Sequence, residues 1–437
     1  MTAANINWNH LPGEDNIFRT VLPNGIIVLC KSDFNSPSIV ISGYLQSGSI
    51  QDPKDKLGLA LFTSYALMRG TANRRFKRIY HDLESAGASF GFGASVQTTS
   101  FGGRALVEDL PLLLNTLADC IQWPVFPPRQ FSRLQAQLMI GLQLREQDTG
   151  DMASLKFDET LFPNHPYGIP EDGYPETVQH IHRRDLVRFH FQSYSPQGMV
   201  IVLVGAIEPQ KAFESVNKIL GGWKNPGYVP PPPIPEIPGT LAPVQIHLPI
   251  QGKFQTDLVM GCYAPSRIDV EYLPASIGNN ILGQFGMMGR IGAAVREKSG
   301  LAYYASTSLN SWLKGGSWEI NAGVNPINLE ASIRIIKEEI RKFIAEPVTQ
   351  EELNDSKSNF IGLLPLSVES NSGVANSIIR MERFGLGLNY LREYPGKIQK
   401  ITSEEILHVS KKYLNPENMV IVSAGPDLAE HNNEVSV

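Results

Sequence analysis

PQGMVIVLVG, residues 196–205, returns 220 positions later as PENMVIVSAG, residues 416–425, with Pro196, Met199-Val200-Ile201-Val202 and Gly205 falling on Pro416, Met419-Val420-Ile421-Val422 and Gly425. Each copy is a short, β-branched apolar run closed by glycine, the pattern of a buried strand. A second pair lies at nearly the same offset: Ile39–Gln46 (IVISGYLQ) has the profile of Asp257–Ala264 (DLVMGCYA), with Gly43 falling on Gly261. Two matched strands, one near the start and one near the end of each half, predict a tandem duplication. Between the halves, residues 226–243 (PGYVPPPPIPEIPGTLAP) hold eight prolines. That density forbids helix and central strand, so the segment reads as an extended linker. The expected organisation is a domain over 1–225, the Pro-rich linker over 226–243 and a second domain over 244–437.

Within each unit the order is strand, helix, strands, helices, strand. Gly58–Met68 (GLALFTSYALM) reads as a helix stopped by Arg69-Gly70, and Ala88–Arg104 as strands carrying Gly, Ser and Thr. Asp109–Trp123 and Pro128–Gln147 read as helices, the second from Phe131, Leu134, Leu138 and Leu142 at spacings of three and four. Asp185–Tyr194 is a further helix feeding the strand at 199–204. Strands and helices without regular βαβ alternation give an α+β fold: two tandem homologous α/β-sandwich domains, each a sheet with helices packed on it.

Composition narrows the function. With 38 basic and 43 acidic residues and no run of like charges, neither a nucleic-acid footprint nor a polyacidic tail is present. The N-terminus lacks the marks of an export or organelle signal, and the longest apolar run, near Met199–Ile207, is about half a membrane span. Cys30, Cys120 and Cys262 lie far apart in apolar stretches, as buried thiols of a reducing compartment do. A cytoplasmic protein with no membrane or nucleic-acid partner is expected. The histidines offer no metal site: His180, His182 and His190 flank a helix start, and the other six are scattered singly.

From LPNGIIVL near residue 22 to Gly425, the chain resembles the pitrilysin-type (M16) zinc peptidases, particularly the small bacterial members that work as two-subunit enzymes. In that family the first helix carries His-x-x-Glu-His just before a Lys/Arg-Gly-Thr turn. Histidines at i and i+4 share one helical face and reach one zinc ion, while the Glu activates the bound water. Counting back from Arg69-Gly70-Thr71, those positions are Leu61, Ser64 and Tyr65. Leu has no ligand atom, Ser is too weak a base, and a Tyr phenol would have to lose its proton. The family's third ligand falls near Gly141 or Leu142, with Glu146 the nearest carboxylate. The resemblance therefore implies a chain with a degenerate zinc site and no cofactor of its own.

The resemblance also implies what the chain keeps. Family members without the zinc motif often retain an Arg and a Tyr seven residues apart that contact substrate peptide; here these are Arg296 and Tyr303 in REKSGLAY. A permanent cation beside a phenol suits a peptide carbonyl and the oxyanion that develops there. Tyr304 is the alternative ring, because strand alternation puts it on the opposite face. Phe90-Gly91-Phe92-Gly93 matches the family's edge strand, where a substrate peptide could add as a further strand. The implied role is the non-catalytic subunit of a heterodimeric metallopeptidase, its partner a zinc-bearing homologue, its substrate a peptide or unfolded segment. The two halves of this chain and the two of the partner would form a clamshell enclosing a chamber, with the Pro-rich linker as hinge. The competing reading is a zinc-less scaffold or peptide-binding protein without a peptidase partner, a leader-peptide maturation factor included.

Overall fold

A computed structural model describes residues 8–237, 239, 242–286 and 288–428. In the first half, strands β1 (Phe18–Val21), β2 (Ile27–Ser32), β3 (Ser38–Leu45), β4 (Ser89–Ala94), β5 (Thr99–Leu106) and β6 (Val200–Gly205) form a sheet in the order β1-β2-β6-β3-β5-β4. In the second, β7 (Val244–Pro249), β8 (Thr256–Ala264), β9 (Ala302–Trp312), β10 (Gly315–Val324) and β11 (Val420–Gly425) take the order β7-β11-β8-β10-β9. Leaving out β1, the two orders are the same plan. β6 runs parallel to β2 and antiparallel to β3, as β11 does to β7 and β8. The fold is α+β, two homologous sheet-and-helix units.

Helices α1 (Leu59–Ala66), α2 (Phe76–Ser85), α3 (Leu110–Gln122), α4 (Pro128–Arg145), α5 (Thr149–Leu161), α6 (Pro175–Gln179), α7 (Arg183–Ser193) and α8 (Pro209–Leu220) belong to the first half. The second half has α9 (Tyr272–Gly283), α10 (Gly289–Gly292), α11 (Leu329–Ala345), α12 (Gln350–Ser367), α13 (Asn371–Arg383), α14 (Tyr390–Lys400) and α15 (Ser403–Tyr413). One face of each sheet is covered by its own helices. Ile41, Ile201 and Leu203 meet Phe62, Leu114 and Leu186, while Met260, Ile320 and Ile421 meet Ile281, Ile336 and Val409.

The other faces are covered by exchange. α5, from the first half, lays Ala153, Phe157 and Leu161 on Val259, Val420 and Val422 of the second sheet. α13, from the second half, lays Val374, Ile378 and Met381 on Val40, Val200 and Val202 of the first. Each half thus completes the other's core, and burying such a side chain contributes about 1.5–3 kcal/mol.

Two expectations change. Over its described residues the Pro-rich segment is irregular, yet Ile234 and Ile237 pack into the core beneath α5, and Val229 N–H donates to the Gln192 carbonyl. Shared cores and a strapped connection leave it no freedom to act as a hinge. The pairing of Gly43 with Gly261 is also one residue out of register. Gly43 pairs with Ile201, whereas the residue pairing with the equivalent Ile421 is Met260. Both strands are buried on both faces, so they lack the period-two alternation that would have fixed the register.

Candidate functional site

α1 begins where the Asp52 carboxyl accepts the backbone N–H groups of Gly58 and Ala60 at 2.9 Å each, satisfying two of the helix's orphan donors. Its buried residues, Leu59, Phe62 and Ala66 among them, anchor one side in the core. Leu61 and Tyr65, four apart, share the opposite side, Leu61 half-buried and Tyr65 42% exposed. Ser64 is buried and spends its hydroxyl proton on the Leu61 carbonyl at 2.7 Å, so it has no free donor to offer a water. On neighbouring α4, Gly141 is exposed, Leu142 is core and Glu146 caps the helix C-terminus, exposed to solvent. These residues do not fit zinc. Among the described residues no three His, Cys, Asp or Glu side chains stand together as a metal would need.

The histidines have structural work. His182 is the N-cap of α7, its backbone N–H donating to Asp185 at 2.8 Å, and His190 sits 2.7 Å from the Ile121 carbonyl. Burial holds His190 down at about 4, so it is neutral at pH 7.

Phe90-Gly91-Phe92-Gly93 forms β4, the outermost strand of its sheet, paired on one side only and in unbroken register with β5. Phe90 and Phe92 turn toward the helix-side core, with Phe101 behind them. Gly91 and Gly93 face the other way. A Cβ on Gly91 would meet nothing within 4 Å, and one on Gly93 only the Ser100 hydroxyl at 3.5 Å. The helix α13 stops short of this part of the sheet, so β4 and β5 expose a strip of glycine and serine beside a free edge.

β9 is the corresponding edge of the second sheet. Ahead of it, residues Ala293–Lys298 form a π-helical turn, and Gly300, at φ +63°, ends it. Arg296 lies on that turn, half-buried, its guanidinium in no hydrogen bond or ion pair among the described residues. Past the Gly300 turn the pairing of β9 with β10 slips: Ala302 pairs with Val324 and Tyr304 with Gly323. Tyr303 is the extra residue of a β-bulge, a device that re-aims a side chain. It is 63% exposed and its hydroxyl has no partner among the described residues. Arg296 and Tyr303 therefore flank one turn at the mouth of the edge strand, with no hydrogen bond between them.

Tyr304 is spoken for. Its ring lies over Gly323, and its hydroxyl donates to Asp257 Oδ1 at 2.7 Å. Asp257 also accepts from Gln255 at 2.8 Å and from Thr149, the first residue of the exchanged α5. Burial, followed by the Asp257 bond, raises the Tyr304 phenol. Sequence alternation separates the two tyrosines by face but misses the bulge, whose signal would have been the Gly323 opposite.

With this geometry in hand, the comparisons with known proteins are direct. Residues 27–168 match the model described as insulinase (peptidase family M16), and residues 180–360 the model described as peptidase M16 inactive domain. The chain belongs to the M16 peptidase family. An uncharacterized zinc protease of Streptomyces coelicolor is 22% identical over 92% of this chain and 88% of its own length. A crystal structure from Pseudomonas fluorescens, described as a peptidase M16 inactive domain, superimposes with TM-score 0.86 at 27% identity, covering 94% of this chain and 98% of that one. The periplasmic protease PqqL of Escherichia coli superimposes with TM-score 0.80 at 16% identity, over 98% of this chain but 48% of its own. This chain spans about half the length of that protease. No described helix is long and apolar enough to cross a membrane.

Proposed function

We propose that this chain is the non-catalytic, substrate-binding subunit of a heterodimeric M16-type metallopeptidase, paired with a zinc-bearing homologue of similar size. The observation that carries the reading is the asymmetry between its two halves. The zinc-motif positions are spent on Leu61, Ser64 and Tyr65, while a half-buried Arg296 and an exposed Tyr303 stand unpartnered among the described residues at the edge strand, where a scaffold has no use for them. The length relation to PqqL supports pairing, since two chains of this size would match the length of that protease. The metal and the water it activates would come from the partner. This chain would contribute the guanidinium and the phenol, which hold a peptide carbonyl and donate to the oxygen as charge develops on it, and β4, whose open edge and bare Gly91 and Gly93 accept a peptide backbone. The three cysteines, all buried and unpaired, with burial pushing each thiol up to about 12, support a reducing cytoplasm as the compartment.

The test is co-expression with a zinc-bearing M16 homologue from the same genome, followed by size-exclusion chromatography and peptide cleavage assays. A single heterodimer peak, active only when both chains are present, supports the reading; two separate peaks and no activity on mixing would leave the scaffold. Within the active complex, Arg296→Ala and Tyr303→Phe should lower kcat/KM by about 10²–10³, or roughly 3–4 kcal/mol, with assembly and zinc content unchanged. Full activity of both variants would make the pair structural.

A further inference from the structure

A cavity of about 400 Å³ opens between α9, α12, α13 and α14, away from β4 and Tyr303. None of its lining residues is acidic, yet two arginines reach it. Arg267 is held flat at the rim, 4.1 Å from the Tyr272 ring centre and 3.1 Å from the Tyr390 hydroxyl, so its charge is fixed in place without being neutralised. Arg380, on exposed α13 surface, has no carboxylate partner among the described residues. Deeper in, the Ser377 hydroxyl is buried with no hydrogen-bond partner. Asn280 is 7% exposed; its side-chain oxygen accepts from Ser356, leaving the amide donors turned to the cavity it lines. Apolar side chains, Phe360, Leu364, Met381 and Leu391 among them, make up much of the remaining wall, with Gln284 and Asn359 as further polar members.

Unpaired cations, unspent neutral donors and an apolar wall with no carboxylate describe the complement of one kind of molecule. We propose that this cavity binds an amphipathic carboxylate, a single carboxylate at the end of an apolar chain or side chain, with Arg267 and Arg380 holding the anion and the apolar wall taking the tail. The inference is independent of the peptidase reading, because no residue of the cavity belongs to the edge-strand site. Two sources share this chemistry, a free aliphatic acid and the C-terminal residue of a peptide. Because α13 lines the cavity through Ser377, Arg380 and Met381 and covers the first sheet through Val374, Ile378 and the same Met381, occupancy would also brace the junction between the halves.

Calorimetric titration of the full chain decides it, with decanoate and N-acetyl-leucyl-leucine as ligands and decanol and the dipeptide amide as uncharged controls. Saturable binding of at least one acid below about 1 mM is expected, with its uncharged control weaker by tenfold or more. The acid that binds more tightly identifies the source. Arg380→Gln should weaken binding ten- to hundredfold without altering the melting temperature of the free protein, since Arg380 is exposed and unpaired. Arg267→Gln should do the same, and because Arg267 is stacked its fold is checked by circular dichroism. Should it not fold, Leu363→Glu, an exposed lining position, supplies a second repulsive variant. No saturation by either acid up to about 10 mM, equal binding of the uncharged controls, or binding unchanged in Arg380→Gln and Leu363→Glu would each overturn the assignment.

Discussion

The two exchanged helices solve one packing problem with opposite charge. α5 meets the second sheet through Ala153, Phe157 and Leu161, a ridge at spacings of four, and α13 meets the first through Val374, Ile378 and Met381. Beside α5 lies a cavity of about 560 Å³ lined by Asp151, Asp158, Glu171 and Asp172, with Arg145 the opposing cation. Burial raises Asp158 to about 8, helped by Glu319 of β10, and burial also raises Glu171 and Glu319. Beside α13 the cations are Arg380 and a half-buried Arg383, which burial pushes down and which faces Tyr44 and Tyr167, while the one carboxylate of the helix's last turn, Glu382, is paired with Arg19. A duplicated fold keeps the apolar ridge because each sheet demands it. The flanks of the ridge are free to diverge, and there the halves have acquired different chemistry.

The comparison breaks most readily at the ridges. Phe157 is 1% exposed, and its ring sits 2.7 Å from where a Cβ on Gly261 would be, so no neighbour can collapse into the space it leaves. Phe157→Ala should cost about 3–5 kcal/mol and Ile378→Ala about 2–5 kcal/mol. Reciprocal coverage makes a sharper claim: each variant should weaken both sheets. Hydrogen exchange read on residues 200–205 and 420–425 should rise together in either variant. Protection lost only from the sheet that the mutated helix covers would show that the halves unfold independently.

How much of this the sequence disclosed follows from the same contrast. The PxxMVIV repeat was legible because β6 and β11 are central strands on which both halves depend, and the strand-helix order around α1, β4 and β5 was legible from Gly and apolar spacing. The crossing of α5 and α13 was not, because an amphipathic helix records that it buries a face and never which sheet it buries it on. The register slip at Gly43 had the same root, since a strand covered on both sides loses its alternation. At the site, Leu61, Ser64 and Tyr65 were singled out as candidates by position and Arg296 and Tyr303 by spacing. The capping Asp52, the π-turn under Arg296, the bulge that turns Tyr303 outward and the hold of Asp257 on Tyr304 were not: each rests on partners far away in the chain.

A middle-sized effect separates the acidic flank from the basic one. An aspartate near 3.9 when unfolded and near 8 when folded keeps its proton in the native state while the unfolded chain has lost it. Between those values the native state binds more protons, so Asp158 makes stability fall as pH rises, by at most about 1.4 kcal/mol per unit, and the loss is complete above pH 8. Asp158→Asn removes the ionisation with little change of shape. Its gain in stability should be about 1–3 kcal/mol larger at pH 8.5 than at pH 5.5, read from denaturant melts at both values. An equal gain at the two pH values would show that Asp158 is already ionised at neutrality.

The smallest effect bears on the two adjacent tyrosines. Tyr304→Phe keeps the ring over Gly323 but removes the hydroxyl that Asp257 holds at 2.7 Å, and leaves one oxygen of a buried carboxyl short of a donor. Gln255 still donates to that oxygen, so the cost should be about 1–3 kcal/mol, the usual loss of a buried hydrogen bond to a carboxyl rather than of an acceptor left bare. Because Asp257 also holds Thr149 at the start of α5, the loss should appear as faster exchange at the N-terminal turn of that helix. Tyr303→Phe removes a hydroxyl that touches nothing and stands in solvent, so it should move stability by less than about 0.5 kcal/mol. Activity should reverse the order, with the harmless change at Tyr303 costing the partnered complex its rate and the damaging change at Tyr304 sparing it once folded. Denaturant melts and peptide cleavage on the same two variants give the four numbers required. A Tyr304→Phe complex that folds normally but loses its rate would transfer the substrate contact to Tyr304 and leave the bulge at Tyr303 without a function.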